Sequence, residues 1–128
     1  MTSHAKYCLV LLLVCTVLGM TAACAAAVDD LAIYLTRDDI PPDRMEMQSH
    51  VALAEQPLIG MDDIISYNTQ THELKLTAAA FERLCQLDVP TSGTSFLVCV
   101  NHAPVYWGAF WTPLSSQSFD GVTIWKPY

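Results

Sequence analysis

An α+β domain is what this chain predicts: an antiparallel or mixed sheet with one main helix packed on one face. Three observations carry that expectation. Short runs of alternating apolar and polar residues recur along the chain, as strands require. Only one stretch, 77–88, repeats its apolar residues at helical spacing. Turn-forming residues separate these runs at regular intervals.

The elements follow in order. LAIYLTR (31–37) sets Leu31, Ile33 and Leu35 against Ala32, Tyr34 and Thr36, and reads as a strand. DDIPPDRMEMQSH is polar with two prolines; it reads as a loop with room for a short helix at 43–50. VALAEQPLI reads as extended, with Pro57 marking an edge or a bend. DDIISYN and THELKL flank Asn68-Thr69-Gln70-Thr71 and predict a hairpin, with Leu74 and Leu76 on one face and Glu73 and Lys75 on a wet one. Thr77 supplies an N-cap hydroxyl for TAAAFERLCQLD. On that helix Phe81, Leu84, Cys85 and Leu87 form the expected core stripe, and Glu82, Arg83 and Gln86 face water. Val89-Pro90 ends it. SFLVCV and PVYWGAFW are strands joined at Asn101-His102, where Asn tolerates positive φ and His does so less well. GVTIWKP is the last strand.

The start of the chain predicts where the domain resides. MTSHAKYCLVLLLVCTVLGMTAAC holds one lysine, Lys6, then an uncharged apolar run and small residues ending at Cys24. This is the layout of a secretory signal. Thr21-Ala22-Ala23-Cys24 resembles a bacterial lipobox, with Thr21 where that pattern prefers Leu. The resemblance implies a signal peptide over 1–23, lipid (palmitate among its acyl chains) on Cys24, and a tether over 24–30 leading into a single domain over 31–128. Cleavage after Ala25 or Ala27 is one alternative. An uncleaved anchor is another, since Tyr7 to Val28 carries no charge and is long enough to span a bilayer. Seven steps from Cys24 to Leu31 reach roughly 24 Å when extended, so the domain is expected close to the bilayer. The expected location is the cell membrane, lipid-anchored at its extracytoplasmic face or in the periplasm.

Charge narrows the partners. The chain has 13 acidic residues against six basic ones, one of which is Lys6, and a formal net charge of −7. Such a domain is repelled by nucleic acid and by anionic headgroups, so no nucleic-acid partner is expected and the membrane contact falls to lipid. Cys85 and Cys99 are the cysteines remaining after Cys24. A bridge between them would close a loop of about 14 residues. Two buried free thiols are the expectation, because free cysteine packs as a small hydrophobe.

PVYWGAFW poses the central question, because Tyr106, Trp107, Phe110 and Trp111 would make both faces of a strand aromatic. A single helix covers one face. Leu31, Ile33, Leu35, Leu74, Leu76, Val122 and Ile124 supply that inner face, which leaves Tyr34 and Trp125 outside. Gly108 lets the core approach closely between Tyr106 and Phe110, so Trp107 and Trp111 are placed outward with Tyr34 and Trp125. Two readings of this cluster stand. Either the 38–57 connection folds over it as a second core, or it is an exposed patch for a protein or peptide, rimmed by Ser115 to Ser118. Stacking on cell-wall glycan is a further use of such rings.

PLIGMDDIISYNTQTHELKLTAAAFERL, then GTSFLVCVNHAPVY and SFDGVTI, resemble the head region of the first periplasmic domain of SecD/SecDF, the accessory translocase subunits. The matching features are Asp63-Ile64 opening a strand, Leu76-Thr77 ending a strand and opening a helix with Phe81, and Val105-Tyr106 after a turn. Asn101-His102 departs from that family's usual turn. The family couples proton flow to export through membrane helices, which this chain lacks after its leader. The resemblance therefore implies a solitary head-like module on a lipid anchor, of the kind found among small bacterial lipoproteins of unknown role.

Catalytic signatures are sparse. Ser115, Ser116 and Ser118 sit in a loop without a Gly-x-Ser-x-Gly elbow. His50, His72 and His102 have no ligand spacing, so no metal and no cofactor is expected. Asp38-Asp39 and Asp62-Asp63 read as solvated loop charges. The expectation is a non-catalytic, lipid-anchored module that binds an envelope protein or peptide, not an enzyme. A glycan-binding module and a small serine hydrolase are the alternatives.

Overall fold

The computed structural model describes residues 30–127. The expected signal peptide and the lipidation site at Cys24 lie outside the described residues. Six strands and one main helix make up the domain, with strands predominating. Strands β1 (Leu31–Leu35), β4 (Thr94–Val100), β5 (Ala103–Trp111) and β6 (Val122–Trp125) form one sheet in the order β1-β4-β5-β6. The first two pairings are antiparallel and β5–β6 is parallel, so the sheet is mixed. Strands β2 (Ile64–Asn68) and β3 (Glu73–Leu76) pair only with each other. Helix α1 (Pro42–Met45) is a single turn and α2 (Ala78–Gln86) is the main helix. Among the described residues no helix is long and apolar enough to cross a membrane.

Local chemistry explains most boundaries. Thr77 caps α2, its Oγ1 accepting from the Ala80 N–H. Asn68 Oδ1 accepts from the N–H groups of Gln70 and Thr71 and closes the β2–β3 turn. Val100 pairs with Ala103, so Asn101-His102 is a two-residue turn, with φ of 50° and 64°. Asn101 also ties down the start of β1, its Oδ1 accepting from the Asp30 N–H.

The helix-covered face is the larger core. Ile33, Ile59, Leu84, Phe96, Val98 and Phe110 are buried together, with Leu76, Leu87 and Ile124 packed against them. Phe96 and Phe110 meet at a ring separation of 5.0 Å. Gly108 has the role its neighbours suggested. A Cβ there would lie 2.6 Å from Phe96 Cζ and 2.4 Å from the Val122 carbonyl.

Several expectations need correction. Phe81 is 49 % exposed; Ala80 and Leu84 are the buried residues of α2. The helix is rotated by about one residue from the predicted stripe, so that the small Ala80 is turned inward in place of Phe81. Val122 is half exposed, because it lies on an edge strand, and only Ile124 of that pair reaches the core. Leu74 and Leu76 belong to the separate hairpin, and Leu76 alone packs inward. Asp63 is not a free loop charge. Its carboxylate accepts from the Gly60 N–H at 2.9 Å and pairs with Arg83, which also donates to the Leu58 carbonyl. These bonds hold the Asp63 carboxyl below its ordinary pKa, the Gly60 N–H contributing most and Arg83 next. Cys85 and Cys99 are both free. Cys99 faces the layer opposite α2, so the sheet stands between the two thiols.

Candidate functional site

The face turned away from α2 carries Ala32 and Tyr34 on β1, Leu97 and Cys99 on β4, and Trp107 and Trp111 on β5, as strand alternation dictates. This phasing agrees with the sequence reading. What differs is how much of it remains open. The 38–57 connection crosses this face and seats Met45, Ile40, Val51 and Leu53 on it. Thr36 starts the crossing, its Oγ1 accepting from the Ile40 N–H, and Asp39 turns the chain with a φ of 48°.

Each expected binding residue therefore has a distinct fate. Tyr34 is 4 % exposed beneath this cover and cannot be an accessible contact. Trp111 is 6 % exposed, because Phe119 from the 112–121 loop stacks on it at 5.7 Å with ring planes 18° apart. The same Phe119 tilts against Trp107 at 5.5 Å, leaving Trp107 half-buried. Trp125 is 60 % exposed on β6. The four residues do share a face, but they do not form one open patch. Two are floor and two are surface.

One serine of the loop, Ser115, serves this closure. Ser115 Oγ donates to the Thr91 carbonyl and accepts from the Gln117 N–H, which pins the loop that carries Phe119. Gly93, at φ 79°, lies where a Cβ would strike the Trp111 ring at 2.4 Å, so the β4 approach is shaped around that indole.

An open cleft of about 530 Å³ remains between the connection and the β4–β5 hairpin. Leu97, Val51 and Leu53 give it an apolar floor and wall; His50, His102 and Pro104 stand at its margins, with Gln48 and Ser49 on one side. Tyr34 and His102 rings lie 5.8 Å apart, which fixes the imidazole at the hairpin tip. Leu97 is paired across the ladder with Trp107, so the cleft floor adjoins that indole. A second cavity of about 400 Å³ lies where the connection meets the end of α2, lined by Leu35, Ile40, Leu87, Asp39 and Asp88 among others. Sequence reasoning missed the cleft. Its signal was present in His102, a residue poorly suited to the second position of a tight turn.

Among the described residues no three of His, Cys, Asp and Glu gather in a group that could hold a metal ion. No family model, no curated protein and no solved structure matches this chain.

Proposed function

We propose that this protein is a non-catalytic binding module, lipid-anchored through Cys24 at the extracytoplasmic side of a membrane, that takes an extended protein or peptide segment in the cleft beside Trp107. The observation that carries this reading is the cleft itself. It is an open trough with an apolar floor, walled on one side by the irregular chain over 48–53 and on the other by the tip of the β4–β5 hairpin. An open trough with polar margins suits a chain that enters side-on, with apolar side chains on Leu97 and Leu53 and polar backbone toward the rim. Trp107 offers the adjoining rigid aromatic contact that interfaces favour. The head-domain resemblance is consistent with a role in handling exported chains, and the acidic surface favours segments of basic character.

Panning a random peptide library against the purified protein tests the site. Peptides should be enriched, and Pro104→Arg, which puts a long cation at the cleft mouth, should abolish their binding. Trp125→Ala should leave it unchanged. Absence of enrichment, or peptides that bind Pro104→Arg equally well, would overturn the reading; recovery of peptidoglycan fragments instead would favour the glycan alternative. The anchor has its own test. Cys24→Ser should move the protein from the membrane to the soluble fraction.

A further inference from the structure

We propose that the β4–β5 hairpin is the end of the domain that meets the bilayer, with Val105 and Tyr106 seated among the lipid headgroups. This rests on the Cys24 anchor proposed above and adds to it the orientation of the domain. The fold determines where the tether arrives. Asp30 is clasped to the hairpin turn: its N–H donates to Asn101 Oδ1 at 3.0 Å, and its carbonyl accepts from the Asn101 N–H at 2.9 Å. Leu31 then pairs with Val100, the last residue of β4. Six steps separate Cys24 from Asp30, a reach of roughly 20 Å when extended. A lipid on Cys24 therefore keeps the hairpin turn within that distance of the bilayer. The other end of β5 lies roughly 27 Å further along the strand.

The surface at this end suits a lipid headgroup layer. β6 pairs with β5 from Gly108 to Trp111, and the hairpin end of β5 extends beyond it. Ala103 to Tyr106 are all exposed, Val105 at 62 % and Tyr106 at 49 %. A bulge presents the two side by side. Cys99 pairs with Pro104 and Val98 with Tyr106, so Val105 is the extra residue between them. Tyrosine has an apolar ring and a polar tip, which is why it favours the membrane–water boundary. Charge selects lipid as the occupant. The chain carries a net charge of −7, and anionic headgroups repel it. Yet no Asp, Glu, Lys or Arg occurs from Val89 to Phe119, a stretch that holds both hairpin strands and the loop over Trp111. The acidic residues at the turn are those of the arriving tether, Asp29 and Asp30. Four exposed residues are far fewer than the roughly 20–30 a side of a stable protein complex. They suffice to orient a domain that an acyl chain already holds, because two weak membrane signals combine. His102 and Pro104 belong to this tip and to the cleft, so the cleft opens beside the bilayer.

Leu114 supplies the control. At 79 % it is the most exposed large apolar residue among those described, and it follows β5 at the end away from the hairpin. Hydrophobicity alone would bury Leu114 in lipid; the tether buries Val105. The full-length protein, purified from membranes in the Cys85→Ala background, is labelled with a nitrobenzoxadiazole fluorophore at Val105→Cys or at Leu114→Cys. It is then reconstituted on phosphatidylcholine vesicles carrying a doxyl quencher just below the headgroups. The label at 105 should be quenched several-fold more strongly than the label at 114. Adding Tyr106→Asp to Val105→Cys should remove most of that quenching while the protein stays on the vesicles. Vesicle flotation reads the anchor separately. Protein that floats with vesicles but is quenched equally at both positions, or more at 114, overturns the inference and leaves the anchor standing. So does quenching at 105 that Tyr106→Asp does not change. Protein that stays in solution overturns both.

Discussion

The two faces of this sheet are buried by different means. The inner face lies under α2, a capped helix whose Leu84 joins Ile33, Phe96 and Phe110 in an apolar core. The outer face lies under irregular chain: the 38–57 connection over Tyr34, Leu97 and Cys99, and the 112–121 loop over Trp111. Its buried set includes hydroxyls. Thr36 is satisfied by the Ile40 N–H, whereas Ser95 Oγ is buried with no partner. A helix satisfies its own backbone and can seal a face completely. An irregular cover must leave gaps where its polar backbone meets water, and the cleft beside His50 and His102 is such a gap. In this protein the proposed binding cleft and the less regular core are two aspects of one layer.

The comparison can be broken from the inner side first. Phe96→Ala removes a ring that is fully buried against Phe110 and should cost about 3–5 kcal/mol in a denaturant melt, the largest effect expected here. Met45→Ala probes the outer cover and should cost about 2 kcal/mol, at the low end for buried methionine, since the adjoining chain can settle. A loss as large as that of Phe96 would mean the outer layer is as tightly built as the inner one.

Asp63→Asn should cost about 1 kcal/mol, through the weakened Gly60 cap and the exposed Arg83 pair. The effect is pH-dependent with a definite sign. Because the folded carboxyl titrates below its unfolded value, its contribution is complete above the ordinary aspartate pKa and is lost as pH falls through the lower folded one. Wild type and Asp63→Asn should therefore differ near neutral pH and converge in acid. Trp125→Ala should change stability by no more than about 0.5 kcal/mol, as surface positions do. A larger loss would place that indole in the core layer.

Features set by near neighbours in the chain were legible in the sequence. Thr77 announced the start of α2, Asn101-His102 the hairpin, and Gly108 the phase of β5, because a cap, a turn and a close approach each need particular residues at particular positions. Three features were not legible. The alternation of Val122 to Trp125 is the same for a parallel as for an antiparallel strand, so its direction depends on where the 112–121 loop leads. The rotation that put Ala80 inward and Phe81 outward depends on tertiary packing, which periodicity does not encode. The sharing of aromatic residues between floor and surface was decided by Phe119 and Met45, single side chains on loops with no repeat to reveal them. The outer face was identified correctly as the aromatic one, and its accessible part was not.

Cys99 makes the outer cover measurable in time. Its sulfur is completely enclosed beneath the connection, and burial raises its thiol pKa, so it is both shielded and protonated in the closed state. Cys85, only half-buried on the opposite side of the sheet, answers to its own surroundings. A thiol reagent added to the native protein should modify Cys85 first. Cys99 should follow at a rate set by how often the connection lifts. Occupancy of the cleft by a ligand would slow that second reaction while sparing the first, which makes the pair of thiols a native reporter of recognition.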